Sequence, residues 1–196
     1  QEIDGVSICK KITKSSIRIK EPIKGNDLYK LINQSSFGRK GPVFLEIPLD
    51  IQAKKVHIES MLKKKTSLKY ISNLNIHKNE IKKLVSNSKR PILLLGGGVN
   101  TIQIKKFKSL SKKLNIPIQT TWNGIMNISS KNNLFFGRPN TWGQRYANII
   151  IQQADLIIAV GTSLSLQQTG FNHKLFGKKA KIIHVNIDKT ELDRNH

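Results

Sequence analysis

A chain of 196 residues has room for one domain, or for one domain and a piece of another. Hydrophobic residues make up 38% of it, enough to bury a core, and no apolar run approaches the ~20 residues of a membrane helix. One cysteine, Cys9, excludes an internal disulfide, fits a reduced cytoplasmic compartment and, with no motif around it, reads as a structural thiol. The net charge is +22, yet six of the 34 basic residues are Arg and the rest Lys, spread over nearly every segment. Specific phosphate and base contacts favour Arg forks, and stacking platforms need aromatics, which are only 6% here. Nucleic-acid binding is therefore expected only as weak, non-specific attraction at low salt.

The start, "QEIDGVSICKK", has neither a methionine nor a signal-peptide core, and reads as a chain entered in its interior. Leu28, Leu31 and Ile32 in "KGNDLYKLINQSS" have helical spacing, with Asn26 or Asp27 able to cap the start. Gly38 to Pro42 is a turn, and Val43 to Ile47 a short, largely apolar strand of the kind buried in a parallel sheet. Residues 1–53 thus read as the last helix and strand of an α/β domain. Residues 54–76, with Lys54, Lys55 and Lys63 to Lys65 among scattered apolar residues, read as a linker.

From residue 77 helices and strands alternate. Ile81, Leu84 and Val85 share a helical face; Pro91 to Leu95 is a buried strand ending in Gly96, Gly97 and Gly98. Ile104, Phe107, Leu110 and Leu114 define a second helix, "IPIQTTW" a second strand, and Tyr146, Ile149, Ile150 and Gln153 a third helix. "ADLIIAVGT" and "AKIIHVNID" are further strands, and Asp188 can cap a helix at "KTELDRN". The pattern predicts an α/β fold with a doubly wound parallel sheet over 77–196.

Ligands of such sheets bind at the carboxyl ends of the strands. The candidate binding residues are therefore Gly96, Gly97 and Gly98, then Thr121 and Trp122, then Gly161 and Thr162, and Asp188. The three glycines either let a backbone approach an anion or simply make a tight turn. Asp188 either faces a ribose hydroxyl or caps its helix. In "FFGRPNTWGQR", Trp142 and Gly143 precede a helix; Trp142 either covers a planar ligand or, by preference, packs in the core or an interface. No catalytic or metal-ligating set is visible: the five histidines share no ligand spacing, His184 reads as a sheet-packing residue, and neither G-x-S-x-G nor a P-loop occurs.

"GPVFLEIPLDIQ", "RPILLLGGGV", "IPIQTTWNGI", "QQADLIIAVGTSL" and "KIIHVNID" come in an order that resembles thiamine-diphosphate-dependent enzymes, acetolactate synthase large subunits above all. The resemblance implies a Rossmann-like middle domain at 77–196, preceded by the tail of a pyrimidine-binding domain at 1–53 and a linker at 54–76. It implies an intact parent that uses thiamine diphosphate and Mg²⁺ to make or break a carbon–carbon bond beside the carbonyl of a 2-oxo acid. The activating glutamate and the Gly-Asp-Gly segment would lie outside this chain, which would then be inactive alone. A homodimer or tetramer is implied as well, and FAD or another nucleotide in the middle domain. Ser163, Ser165 and Gln167 stand where acetolactate synthases carry Arg and Asp, Asn140-Thr141-Trp142-Gly143 where they carry Gly-Met-His-Gly, and Asn186 where they carry a strand-end Asp. These departures point to a divergent carboligase or decarboxylase. A basic nucleotide- or nucleic-acid-binding module acting alone is the alternative.

Overall fold

The structure is a computed structural model that describes residues 3–56 and 77–194. The chain divides into two compact units, Gln1–Ser72 and Asn73–His196. Most of the linker expected at 54–76 lies outside the described residues.

The first unit holds more than the one helix and one strand expected. Helix α1, Gly5–Cys9, is capped by Asp4, whose carboxylate accepts the Ser7 N–H at 3.0 Å. Strand β1, Ser15–Arg18, is followed by α2, Gly25–Ser36, and β2, Val43–Glu46. The two strands pair in parallel from Ser15 with Val43 to Arg18 with Glu46, so α2 is the crossover of a β-α-β unit. Neither Asn26 nor Asp27 caps α2: the helix begins before both, at Gly25, with Lys24 at the cap. Its other end is held by Lys14, whose ammonium donates to the carbonyls of Gln34 and Phe37, each at 2.5 Å. A cation among the last carbonyls of a helix satisfies orphan acceptors and offsets the helix dipole. Arg18 pairs with Glu46 at 2.7 Å along the strand pair. The short helix α3, Leu49–Gln52, follows Pro48, and Ile51 is its buried residue. Cys9 is half-buried and free.

The second unit is the doubly wound sheet that the sequence predicts. Its elements are α4 (Lys78–Asn87), β3 (Pro91–Leu95), α5 (Thr101–Leu114), β4 (Ile118–Thr120), α6 (Arg145–Gln153), β5 (Leu156–Val160), α7 (Leu166–Thr169), β6 (Lys181–Val185) and α8 (Lys189–Leu192). All four strands are parallel, in the order β4-β3-β5-β6. Both faces are covered. Leu93, Leu95, Ile118, Val99, Ile104, Ile116 and Ile128 form one core layer, with Val85 and Phe107 against it. Ile92, Leu94, Ile157 and Ala159 point the other way, into a layer closed by Ile151, Ala154, Leu164 and Phe176. That explains why β3 is an unbroken apolar run: each alternate residue meets a different core. Leu94 and Leu95 are fully buried, and burial of such side chains stabilises by ~1.5–3 kcal/mol each.

Two helix faces differ from the sequence reading. In α5, Leu110 and Leu114 face solvent while Ile104 and Ser111 are buried. The Ser111 hydroxyl donates to the Ile116 carbonyl, which lets a polar residue take the inward position. In α6, Ala147 and Ile151 turn inward and Tyr146 and Ile149 outward. Among the described residues no helix is long and apolar enough to cross a membrane.

Candidate functional site

Strand order puts the site between β3 and β5. The chain leaves β3 through α5 to β4 on one side, then returns through α6 to β5 on the other. The carboxyl ends of β3 and β5 therefore flank the switch point, where ligands of open parallel sheets bind.

There Gly96, Gly97 and Gly98 follow β3 and Gly161 and Thr162 follow β5, in direct backbone contact. The Gly96 N–H donates to the Val160 carbonyl at 2.8 Å, and the Gly98 N–H to the Gly161 carbonyl at 2.9 Å. A Cβ on Gly96 would lie 2.1 Å from the Gly161 carbonyl oxygen, and one on Gly98 2.9 Å from it. A Cβ on Gly97 would press on Asn123 at 3.0 Å. The missing side chains are thus needed by the neighbouring loops. Gly161 itself has φ +62°, the left-handed region that glycine tolerates best.

The other strand ends join the same seam. The Thr121 N–H donates to the Leu95 carbonyl at 3.0 Å, and the Asn127 amide to the Gly96 carbonyl at 3.1 Å. From β6, the Asn186 amide donates to the Thr162 carbonyl at 2.8 Å, and His184 Nε2 lies 2.7 Å from the same oxygen. A carbonyl only accepts, so Nε2 carries the proton. His184 is a sheet-packing residue, as the sequence suggests. Asp188 caps α8, accepting the Thr190 N–H at 3.0 Å and its hydroxyl at 2.7 Å. The helix start after the glycines is closed in the same way: Asn100 accepts the Gln103 N–H at 2.9 Å, and the Gln103 side chain accepts the Asn100 N–H at 3.0 Å.

Gly143 is not part of this group. It shapes its own loop, where a Cβ would fall 2.1 Å from the Arg138 carbonyl oxygen. Trp142 is 65% exposed, which removes the core position expected for it and leaves the interface or the cover of a planar ligand. The loop is held from below: Asn140 accepts the Trp142 N–H at 2.7 Å, and the Thr141 N–H donates to the Gln167 carbonyl at 3.0 Å. That fixed turn directs the indole outward. Trp122 is likewise exposed.

Two residues beside the seam, Gln119 and Leu164, were not singled out in the sequence. Gln119 and Thr120 of β4 are fully buried, and Gln119 Nε2 donates to the carbonyls of Phe136 at 3.0 Å and Ala147 at 2.9 Å. A glutamine inside an apolar strand was the available signal, because buried amides need partners. Asn140 is buried against α6, and Leu164 sits in the core with φ +43°. Gln119 Oε1, Thr120 Oγ1, Arg138 Nε and Asn140 Nδ2 are buried without a partner, a demand that ordered water meets in folded domains.

The chain was compared with known proteins. The family model described as thiamine pyrophosphate enzyme, central domain, matches residues 79–196. The chain belongs to this family. Over its whole length it is 32% identical to a probable acetolactate synthase large subunit of Methanococcus aeolicus and 33% identical to probable acetolactate synthase 2, chloroplastic, of Oryza sativa. Over 99% of its length it is 30% identical to the acetolactate synthase isozyme 1 large subunit of Escherichia coli. It spans about a third of the length of these relatives, 34%, 30% and 34% respectively.

Two implied cofactors can be tested against the residues. For thiamine diphosphate and Mg²⁺, no Gly-Asp-Gly segment occurs in the chain, and among the described residues no group of three His, Cys, Asp or Glu could hold a metal. For a flavin dinucleotide, the switch-point loops 96–100, 121–124, 161–165 and 186–188 contain no Lys or Arg to offset two phosphates. In the adjoining loop Arg138 lies over the Phe135 ring, 5.4 Å from its centroid. Asp188, the carboxylate suited to a ribose, is engaged as a helix cap. The residues fit neither group.

Proposed function

We propose that this chain is the central region of an acetolactate-synthase-like enzyme, a thiamine-diphosphate-dependent carboligase or decarboxylase of 2-oxo acids. The reading rests on one observation: the similarity to acetolactate synthase large subunits runs through the whole chain, across both units. Residues 1–53 then correspond to the tail of the pyrimidine-binding domain, 54–76 to the linker and 77–196 to the middle domain. The stand-alone nucleic-acid module has no such support, and the lysines lie on most segments rather than in one stripe.

In this reading the chain supplies no catalytic side chain. Thiamine diphosphate, bound with Mg²⁺ elsewhere in the complete protein, supplies the electron sink for a small 2-oxo acid. This chain's residues do scaffold work. The seam at Gly96, Gly97, Gly98, Thr121, Gly161, Thr162 and Asp188 fixes the strand ends at which the fold would otherwise take a nucleotide, with Trp122 and Gly143 in the flanking turns. A cytoplasmic homodimer or tetramer completes the proposal.

The test is made on the complete gene product with thiamine diphosphate, Mg²⁺ and pyruvate or another 2-oxo acid. Release of CO₂ with formation of a 2-hydroxyketone product supports the proposal. A folded protein that neither binds thiamine diphosphate nor turns over any 2-oxo acid refutes it.

A further inference from the structure

We infer that the complete enzyme works without a flavin: the nucleotide crevice of its middle domain has become a seam bonded to itself. The inference rests on the family reading above and goes beyond it, because it sets this enzyme apart from the flavin-bearing members that the sequence resembles.

The polar groups that join the ends of β5 and β6 serve the protein. The Thr162 carbonyl holds both His184 and Asn186, which ties the end of β5 to β6. The Asn186 carbonyl oxygen accepts the Asp188 N–H at 3.0 Å, so both ends of that amide are used. An aspartate at position 186 would lack the donor for Thr162 and would place a carboxylate against a carbonyl. The asparagine therefore suits a closed seam, and it is a poor stand-in for a carboxylate that grips ribose hydroxyls.

Charge argues the same way. A dinucleotide brings two phosphate charges into a partly desolvated crevice, and unpaired charges there are costly. A chain with 34 basic residues has placed none of them in the four switch-point loops. Ser163, Ser165 and Gln167 are neutral, and the backbone carbonyl of Gln167 holds the Thr141 N–H and hydroxyl at 3.0 and 2.9 Å. The glycines leave no cradle either, because the space a Cβ would take at Gly96 and Gly98 is filled by Gly161.

The experiment uses the complete protein, purified without added flavin. Its absorbance near 450 nm is read first. FAD is then titrated calorimetrically to about 100 μM at ~0.15 M salt, where loose electrostatic binding is screened. Thiamine diphosphate is titrated into the same preparation. The inference expects no flavin absorbance and no FAD heat, together with saturable thiamine diphosphate binding. A yellow protein, or FAD uptake approaching one per chain, overturns it whether or not thiamine diphosphate binds. Failure of thiamine diphosphate alone to bind counts against the parent reading. A second arm uses Asn186→Asp. The seam requires a lower melting temperature and still no FAD binding; FAD binding gained by this variant also overturns the inference, since it would show a crevice still built for the nucleotide.

Discussion

Gly96→Ala is the most direct probe of the seam. The new Cβ would sit 2.1 Å from the Gly161 carbonyl oxygen, whereas carbon–oxygen contacts settle near ~3.3 Å, so about 1.2 Å must be absorbed by backbone. Yielding separates the ends of β3 and β5 and weakens the Gly96-to-Val160 and Gly98-to-Gly161 hydrogen bonds. Each is worth about 1 kcal/mol net. Overpacking adds ~1–3 kcal/mol, and the lower freedom of alanine in the unfolded chain returns ~0.4–1 kcal/mol. The net loss is about 2–4 kcal/mol. For a chain of this size that lowers the melting temperature by roughly 10 °C. Gly170→Ala is the control. Its glycine has φ +73° with nothing within 4 Å of the added Cβ. Only the left-handed backbone penalises it, by about 1 kcal/mol. Thermal unfolding followed by circular dichroism ranks the two. A Gly96→Ala protein that melts within ~2 °C of the parent, or above Gly170→Ala, would refute the claim that these glycines exist for loop contact.

Three further outcomes follow from the same geometry. Leu164 is buried in the core yet has φ +43°, so Leu164→Ala should lose ~2–4 kcal/mol from the cavity, while Leu164→Gly recovers about 1 kcal/mol of backbone strain and should be no worse in urea unfolding. For Asp155, burial pushes the carboxyl up, but the Ser88 hydroxyl and the Lys89 and Arg90 N–H groups outweigh it and hold its pKa below the ordinary range. A depressed folded pKa means stability present above the unfolded value of ~3.9 and lost as pH falls from there through the folded value. Asp155→Asn should therefore destabilise at pH 7 by ~1–3 kcal/mol and flatten the acid limb of an unfolding-versus-pH curve; an unchanged limb would show that these bonds do not set it. Trp142→Ala should change the unfolding free energy of this chain by less than ~0.5 kcal/mol, because the side chain is 65% exposed, and a larger loss in thermal unfolding would place the indole in a packed environment after all.

Element type was readable where pattern and burial agree. Pro91–Leu95 is apolar throughout because two cores need it, and Asp188 stands at the head of α8 with a side chain that can accept from the first turn. Reading failed where one residue's environment is set by distant chain. Leu110 and Leu114 fit an apolar stripe, but the hydrogen bond from the Ser111 hydroxyl to the Ile116 carbonyl lets a serine take the inward face of α5. Trp142 has the composition of a core residue, and only the hydrogen bonds of Asn140 and Gln167 beneath the turn send it outward. The β-α-β unit before residue 53 was half visible because β1, "SSIR", has polar residues at three of its four positions and pairs with β2 only across the intervening helix.

The candidate site carries the sharper lesson. Glycine-rich turns at strand ends are compatible with a phosphate cradle and with loops that pack on each other, and the sequence alone does not separate these. What separates them is the identity of the atom that would meet an added Cβ. At Gly96, Gly98 and Gly143 that atom is the protein's own backbone oxygen. The same logic extends to the polar residues: Asn186 and Asp188 look like ligand-binding groups in one dimension, and each is engaged by a partner two to 24 residues away. Strand ends closed in this way are held together by their own backbone and side-chain amides, with no ligand needed to bridge them.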